Sequence, residues 1–231
     1  MSVEFRMRGR GLSRRAFTGG MAGGVVFGLI RPAAGDVALG KVLSIDGELT
    51  RNGPARTEVL TVGTSLMESD LLATGRQSFA KLKLGSDTDI LLGPETQLLI
   101  DRYLAGQGGE LQLMSGQMLF DRPAGLPKID LTVKTTFGMI GVRGTKFFAG
   151  PLNGVFSVYV EHGRVDVSNA GVSRRVGAGE GLDIAPPEGS VRSLGNGARD
   201  AAAMARLAIP GLPSRWADVR IRDAYASVGL R

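Results

Sequence analysis

Short segments in which apolar and polar residues alternate, separated by glycines, run from Val37 to Ile184 and constrain the fold more than any other feature of the sequence. In residues 79–84, for example, Ala80, Leu82 and Leu84 share one face of an extended chain, because side chains two positions apart point to the same side of a strand. Helical spacing is hard to find here, whereas the alternation recurs in residues 110–113, 129–133, 155–161 and 164–167. The sequence therefore predicts an all-β fold, a twisted stack of short antiparallel strands.

Two turn signals predict how neighbouring strands are joined. Gly85-Ser86-Asp87 lies between two alternating segments, and His162-Gly163 lies between another two, so we expect a hairpin at each place. The strands show no fixed repeat length. A barrel, a sandwich and a solenoid-like stack all fit short strands with frequent turns, and these alternatives stay open at this point.

The composition changes after Ile184. A Pro/Gly-containing linker is predicted for residues 185–197, followed by a helical segment over residues 198–231. Its alanine-rich part, Ala198 to Ile209, favours one helix, and Ser214 is expected to cap a second helix that runs through about Ser227 and carries Trp216. These helices are expected to dock on a sheet edge or, alternatively, to present a surface to a partner.

Residues 1–35 have the order of an export signal: a basic region, an apolar stretch over residues 19–30 and a small-residue segment. Arg14, Arg15 and Phe17 match the twin-arginine export motif. The apolar stretch is far shorter than the roughly 20 residues that span a bilayer, so we expect only transient contact with the membrane. A basic arm or a short anchor is the alternative. The prediction is a cleaved leader and a periplasmic protein that begins near Asp36.

Charge and composition exclude several classes of protein. The net charge is +6, but residues 1–35 hold six arginines against one glutamate, so the remaining 22 basic and 21 acidic side chains nearly cancel. Nucleic-acid binding needs a persistent basic face and is not expected. The chain has no cysteine, which rules out disulfides, thiolate metal sites and a thiol nucleophile.

Candidate catalytic residues are scarce. His162 is the one histidine and lies in a predicted turn, where an exposed turn residue is commoner than a general base. Asp87 and Asp89 lie near a predicted hairpin tip and read as turn formers, since they lack the alternating ligands of a calcium loop. We therefore expect a non-enzymatic protein with no cofactor and no metal site.

The order of several motifs resembles the FecR domain, named for the iron-dicitrate transport regulator. The resemblance covers Gly40 to Ile184 and is strongest over Thr135 to Phe147, which contains Ile140-Gly141-Val142-Arg143-Gly144-Thr145-Lys146-Phe147. The other matching segments are 63–66, 70–74 with Ser78, 82–84, 90–92, 111–113 with Gly116, and 160–165. The family's usual Gly-Asp pair is Ser69-Asp70 here.

The resemblance implies an all-β envelope domain that acts as a binding and signalling module. Regulators of the iron-citrate type carry a sigma-factor-binding segment and a transmembrane helix ahead of this domain. Since only an export signal precedes it here, direct control of a sigma factor is not expected. The candidate contact residues are Gly141, Arg143, Gly144, Thr145 and Phe147.

Within that motif, the two glycines permit a tight bend or close backbone approach, and Arg143 offers five hydrogen-bond donors. Arg143 is expected either to satisfy buried carbonyls at a strand crossing or to contact a ligand or partner.

Two functions remain open. The first is a periplasmic sensor or adaptor that binds an envelope protein. The second is a module that binds envelope glycan or peptidoglycan, which predicts exposed aromatic rings. Aromatic residues are only 6% of the chain and Trp216 is its one tryptophan, so protein partners are favoured.

Overall fold

The computed structural model describes residues 38–53, 56–186 and 205–230, and most of these residues lie in β-strands. In chain order the strands are β1 (Gly40–Asp46), β2 (Leu49–Asn52), β3 (Thr57–Val59), β4 (Ser65–Leu66), β5 (Asp70–Thr74), β6 (Phe79–Leu84), β7 (Thr88–Leu92), β8 (Gln97–Leu104), β9 (Gly108–Ser115), β10 (Met118–Asp121), β11 (Asp130–Thr135), β12 (Gly138–Val142), β13 (Lys146–Leu152), β14 (Val155–His162), β15 (Arg164–Asn169), β16 (Val172–Gly177), β17 (Glu180–Ala185), β18 (Ile209–Pro210) and β19 (Ser214–Arg215). Helix α1 spans Asp218–Ala226, and residues 205–207 are also helical.

The strands form two sheets. Sheet A has the order β18-β17-β14-β13-β10-β7-β6-β1-β4, with β19 also paired to β17, and sheet B has the order β16-β15-β12-β11-β9-β8-β5-β2-β3. The inward side chains of both sheets are buried in one shared apolar cluster, which includes Leu82 and Ile90 of sheet A and Leu111 and Val133 of sheet B. Strand order nearly follows chain order in both sheets. The fold is thus a solenoid-like stack with the cross-section of a sandwich, and the all-β prediction is confirmed.

The two predicted hairpins have different outcomes. The first is confirmed, because β6 pairs antiparallel with β7 and Leu82 lies opposite Ile90. The second is wrong: β14 pairs with β13 and β17 in sheet A, whereas β15 pairs with β12 and β16 in sheet B. A single residue, Gly163, separates β14 from β15, and a hairpin within one sheet commonly needs two loop residues. The chain therefore crosses to the other sheet at this turn.

The prediction of antiparallel strands fails for one pair. Strands β9 and β11 run parallel, with Leu111 opposite Val133. Parallel neighbours need a crossover connection, and β10, which lies in sheet A, supplies it. The chain here makes one full coil around the core instead of turning back.

Strands of sheet A differ in how closely they follow the alternation. In β6 every second residue is buried, as the sequence predicts. In β14, by contrast, Phe156 to Val160 are all buried. The outward side chains Leu119, Phe148 and Tyr159 form a second apolar cluster with Trp216 and Val228 of the C-terminal segment. A strand that is covered on both faces loses the alternation of a half-exposed strand.

Residues 205–230, which we call the C-terminal clamp, produce this cover. Strands β18 and β19 both pair with β17 near one end of the strand order of sheet A, so strands cover this edge where the sequence predicted helices. Ile209, the last residue of the predicted helix from Ala198, lies in β18. Helix α1 packs on the outer face of sheet A, not on its edge, which corrects the predicted position. Ser214 does not cap a helix, because it lies in β19 and pairs with Gly181 of β17. The helix begins instead at Asp218, and its N-cap residue Ala217 makes no side-chain capping hydrogen bond.

The predicted leader, residues 1–35, and the linker from residue 187 onward lie outside the described residues, so these domain boundaries stay predictions. Within the ranges that the structure describes, no helix has the length and apolar character needed to span a membrane.

Candidate functional site

The motif from Gly141 to Phe147 lies where the chain passes from sheet B to sheet A, between β12 and β13. Gly144 has a φ of 62°, in the left-handed region that glycine adopts without strain, so it forms the bend that the sequence predicts. Gly141 is different. A Cβ there would lie 3.7 Å from the Asp166 carbonyl oxygen, an ordinary contact, so the expectation of a close backbone approach is wrong at this position.

Two other motif residues belong to the core. Phe147 is fully buried and its ring centroid lies 5.4 Å from that of Phe120 on β10. Thr145 is also buried, and its carbonyl oxygen accepts a hydrogen bond from the Arg122 backbone N–H at 3.2 Å. Both residues hold the crossing in place, so neither is available to contact a partner.

Arg143 is exposed, and no hydrogen bond joins its side chain to another described residue. The buried role that the sequence offered to Arg143 is filled by Arg122, which is 1% exposed. Arg122 forms an ion pair with Asp87 and donates to the Pro127 carbonyl oxygen at 3.1 Å and to the Thr88 hydroxyl at 3.3 Å. One buried guanidinium therefore ties the β6–β7 hairpin to the loop that follows β10.

Sequence reasoning missed Arg122, although two signals pointed to it. Arg122 directly follows the apolar strand β10, and the carboxylate of Asp87 lies in the neighbouring hairpin. The hydroxyl of Tyr103 extends the network by donating to Thr88 at 3.0 Å. Burial raises the pKa of Tyr103, so this phenol stays neutral and keeps its proton for the hydrogen bond.

Asp87 and Asp89 do not act as a carboxylate pair. Asp87 bonds Arg122 inside the end of the sandwich, whereas Asp89 bonds Lys81 and Lys83 on the outer face of sheet A. Burial raises the pKa of Asp89, but the hydrogen bonds and charges of the two lysines outweigh it and leave the pKa below its ordinary value. Among residues 38–53, 56–186 and 205–230, no three histidine or acidic side chains are grouped so that they could hold a metal ion.

A cavity of about 500 Å³, which we call the end cleft, opens beside Arg143. Its lining combines cationic and apolar side chains with three glycines: Pro123, Ala124, Gly125, Leu126, Lys128, Arg143, Gly144, His162, Gly163 and Arg164. No carboxylate is part of this lining. Lys128, Arg143 and Arg164 are all exposed, so they give the cleft a positive potential that reaches solvent.

Close packing fixes the loops around the end cleft. Gly163 has a φ of 81°, and a Cβ there would lie 2.5 Å from the Gly144 carbonyl oxygen and 2.6 Å from the Thr145 methyl carbon. No side chain fits between these two crossings. The loop with Arg143 and the loop with Arg164 are therefore held directly against each other.

Trp216 is not the exposed aromatic ring that glycan binding would require. It is only 7% exposed, stacks on Tyr159 at 5.1 Å between ring centroids, and is covered by the Arg220 guanidinium at 3.9 Å. Gly181 leaves the space that the indole occupies. The one tryptophan of the chain thus anchors the C-terminal clamp and offers no face to a sugar.

Charged groups also hold the clamp. Lys146 bonds Glu161 at 3.0 Å and Asp121 at 3.5 Å, and the Tyr225 hydroxyl of helix α1 donates to Glu161. Burial raises the pKa of Glu161, but the hydrogen bonds from Tyr225 and Lys146 outweigh it and lower the pKa below its ordinary value. Burial and the same carboxylate raise the pKa of Tyr225.

The remaining sequence-predicted residues, Arg14, Arg15 and Phe17 of the export motif, lie outside the described residues.

Comparison with known proteins supports the resemblance that the motifs indicated. The family model described as FecR protein matches residues 70–166, from the start of β5 to the middle of β15. These residues form a FecR domain. The domain includes both sides of the crossing at Arg143 and every residue that lines the end cleft.

At the start of the FecR match, the Ser69-Asp70 pair keeps the turn conformation that the sequence left in question. Ser69 adopts a φ of 66°, the conformation that a glycine would take. Asp70 is buried and accepts hydrogen bonds from the Met67 N–H and the Arg51 guanidinium, both at 2.8 Å. Serine therefore substitutes for the family's glycine at a cost in backbone strain alone.

Two crystal structures of a candidate anti-sigma factor from Parabacteroides distasonis are similar to this chain. They show 16% and 18% identity with TM-scores of 0.41 and 0.39, and each alignment covers 48% of this chain. The chain spans about half the length of these proteins, 53% in both cases. No curated protein matches the chain.

Proposed function

We propose that this protein is a non-enzymatic sensor or adaptor in envelope signalling, and that its FecR domain contacts a protein partner at the end cleft. The FecR match supports a signalling role, since the resemblance implies a binding module of the cell envelope. The proposal includes export by the twin-arginine route, removal of residues 1–35 and residence in the periplasm.

The observation that carries the proposal is the difference in burial between residues of the family motif. Thr145 and Phe147 are buried and maintain the crossing, whereas Arg143 projects from the same crossing into solvent. An arginine that serves the fold is buried and bonded, as Arg122 is. Arg143, with no such bonds to described residues, is available to a partner, and arginine is among the residues that contribute most to protein interfaces.

A photo-crosslinking amino acid placed at position 143 of the full chain tests the contact in intact cells. We expect a discrete crosslinked product with an envelope protein, to be identified by mass spectrometry. The matched control is position 76, because Arg76 is also exposed and lies in the β5–β6 turn at the opposite end of the sandwich. The product should be absent from position 76 and should be lost when Arg164→Glu is added to the variant with the probe at 143.

Equal products from positions 143 and 76 would contradict a specific contact at the end cleft. Fractionation tests the location independently. We expect the shortened chain in the periplasmic fraction, and lysine at both Arg14 and Arg15 should leave the full-length chain in the cytosol. A full-length chain in the cytosol without these substitutions would exclude the proposed envelope role.

A further inference from the structure

The basic side chains that line the end cleft indicate which kind of partner surface it could bind. Three of its side chains, Lys128, Arg143 and Arg164, carry basic groups, and His162 adds an imidazole. No ion pair joins any of the three to a carboxylate of the described residues. Nearby carboxylates are already engaged: Asp87 by Arg122, and Glu161 by Lys146. The positive charge of the cleft is therefore not neutralised from within.

The cations are also held in fixed relation by the backbone. Arg143 and Arg164 belong to two crossings that touch at Gly163. Lys128 lies alongside the first crossing, since a Cβ at Gly144 would lie 3.9 Å from the Lys128 Cγ. Arg122 joins this arrangement from below, because its N–H bonds Thr145 and its guanidinium bonds Pro127. The backbone positions that carry the three cations are therefore fixed relative to one another.

The remaining wall of the cleft is apolar. Pro123, Ala124 and Leu126 form it, and Leu126 is 36% exposed although its neighbours in sequence are tied to the core by Arg122. A cavity of about 500 Å³ is larger than a single carboxylate or phosphate requires and falls in the range of roughly 300–1,000 Å³ typical of ligand pockets. The ligand that fits combines negative charge with apolar side chains.

We propose that the end cleft binds an acidic peptide segment in which aspartate or glutamate alternates with hydrophobic residues. The carboxylates bind Arg143, Arg164 and Lys128, and a hydrophobic side chain of the peptide packs on Leu126 and Pro123. This inference rests on the proposed function, because it assigns the chemistry of the partner surface that the adaptor recognises.

Fluorescence anisotropy with the full chain tests the inference. The probe is a fluorescein-labelled peptide of alternating leucine and glutamate, and the matched probe has glutamine in place of glutamate. We expect saturable binding of the acidic peptide only. Raising the salt from about 0.1 M to about 1 M shortens the Debye length from about 10 Å to about 3 Å and should weaken this binding strongly.

Substitutions locate the binding to the cleft. Arg143→Glu and Arg164→Glu should each raise the Kd by about tenfold or more, because each replaces an attraction by a repulsion. Arg76→Glu makes the same change of charge at the opposite end and should alter the Kd by less than about twofold. Arg143 and Arg164 are exposed, so these variants are expected to fold, which circular dichroism will verify.

The inference would be overturned by equal binding of the glutamine peptide, by equal loss in Arg76→Glu, or by the absence of saturable binding of the acidic peptide. Free glutamate at the same carboxylate concentration distinguishes a peptide from a small anion, and displacement with equal potency would also overturn it. A crosslink at position 143 without peptide binding would leave the adaptor proposal standing and remove only the acidic chemistry. Peptide binding without a crosslink would support the acidic chemistry of the cleft and contradict contact with an envelope protein in cells.

Discussion

The C-terminal clamp and the end cleft both combine basic side chains with apolar surface, but they use them in opposite ways. In the clamp, Arg220 covers Trp216 at 3.9 Å and forms an ion pair with Asp183. Both the guanidinium charge and the indole ring therefore have partners within the protein. In the cleft, Arg143 has no carboxylate among the lining residues. The comparison shows that residue type alone does not distinguish a structural arginine from a recognition arginine. The partners that the fold supplies make the distinction.

The largest effect should come from removing the anchor of the clamp. Trp216→Ala deletes a buried indole together with its contacts to Tyr159 and Arg220, and we expect it to lower the free energy of unfolding by about 3–5 kcal/mol. Arg143→Ala in the cleft is the matched control and should change it by less than about 0.5 kcal/mol. Urea denaturation measures both. A large cost for Arg143→Ala would mean that the two regions do not differ as described.

The next effect concerns the support beneath the cleft. Asp87→Ala leaves the Arg122 guanidinium buried without its carboxylate and should cost about 3 kcal/mol. Asp89→Ala, two residues away, removes only surface ion pairs with lysines and should cost less than about 1 kcal/mol. Adding Arg122→Met to Asp87→Ala should recover part of the loss, because the unpaired charge is then removed. Equal costs at Asp87 and Asp89 would contradict the buried role of Arg122.

A smaller effect should appear on acidification. The pKa of Glu161 is lower in the folded protein than in the unfolded chain, so its contribution is present above the unfolded pKa and is lost as the pH falls through the folded one. Below about pH 4.5 the free energy of unfolding should therefore fall more steeply in the wild type than in Glu161→Gln. Because Glu161 is partly exposed, we expect a difference of less than about 1 kcal/mol.

The control for acidification is Glu95→Gln, whose carboxylate is exposed and pairs with Arg76 instead of with Lys146 or Tyr225. Its pH profile should match that of the wild type. At the alkaline side the signs are reversed: the raised pKa values of Tyr225 and Lys146 mean that stability is lost as the pH rises above about 10. Identical acid profiles for wild type and Glu161→Gln would show that the clamp does not depend on this carboxylate.

The smallest effect lies outside both regions and provides a reference for them. Ser69→Gly relieves a left-handed serine and should raise the free energy of unfolding by about 0.5–1 kcal/mol without altering peptide binding. Ser173→Gly, at an exposed position in β16, places glycine in ordinary strand backbone and should instead lower it by about 0.5–1 kcal/mol. A loss of stability in Ser69→Gly would show that the serine hydroxyl matters more than the backbone strain.

The strands that bury one face could be predicted from the sequence. In β6, for example, every second residue is buried, and the sequence shows the same alternation of apolar and polar residues. The sheet assignment of β15 could not be predicted, since alternation is the same whichever sheet a strand joins. Helix α1 lies on the face of sheet A through contacts with Leu119 and Phe148, which are remote in sequence. The apolar runs in β10 and β14 were the available sign that this face is covered.

The candidate site was found in part. Arg143 stood out through its family motif, and the structure places it at the cleft, but the motif did not indicate which of its residues are buried. Lys128 and Arg164 join Arg143 only because three crossings meet at one end of the sandwich. Arg122 was missed because burial of an arginine depends on a distant carboxylate, Asp87, and single-sequence patterns carry no information on such pairs.

The near-sequential strand order has a consequence for how the molecule forms. Among the described strands, every hydrogen-bonded pair except β1–β6 has at most two strands between its members in the chain. We therefore expect folding to nucleate at a local unit such as β6–β7 and to propagate along the stack, as it does in repeat proteins. Residues 209–215 terminate that propagation at β17, where they occupy backbone groups that another chain could otherwise extend.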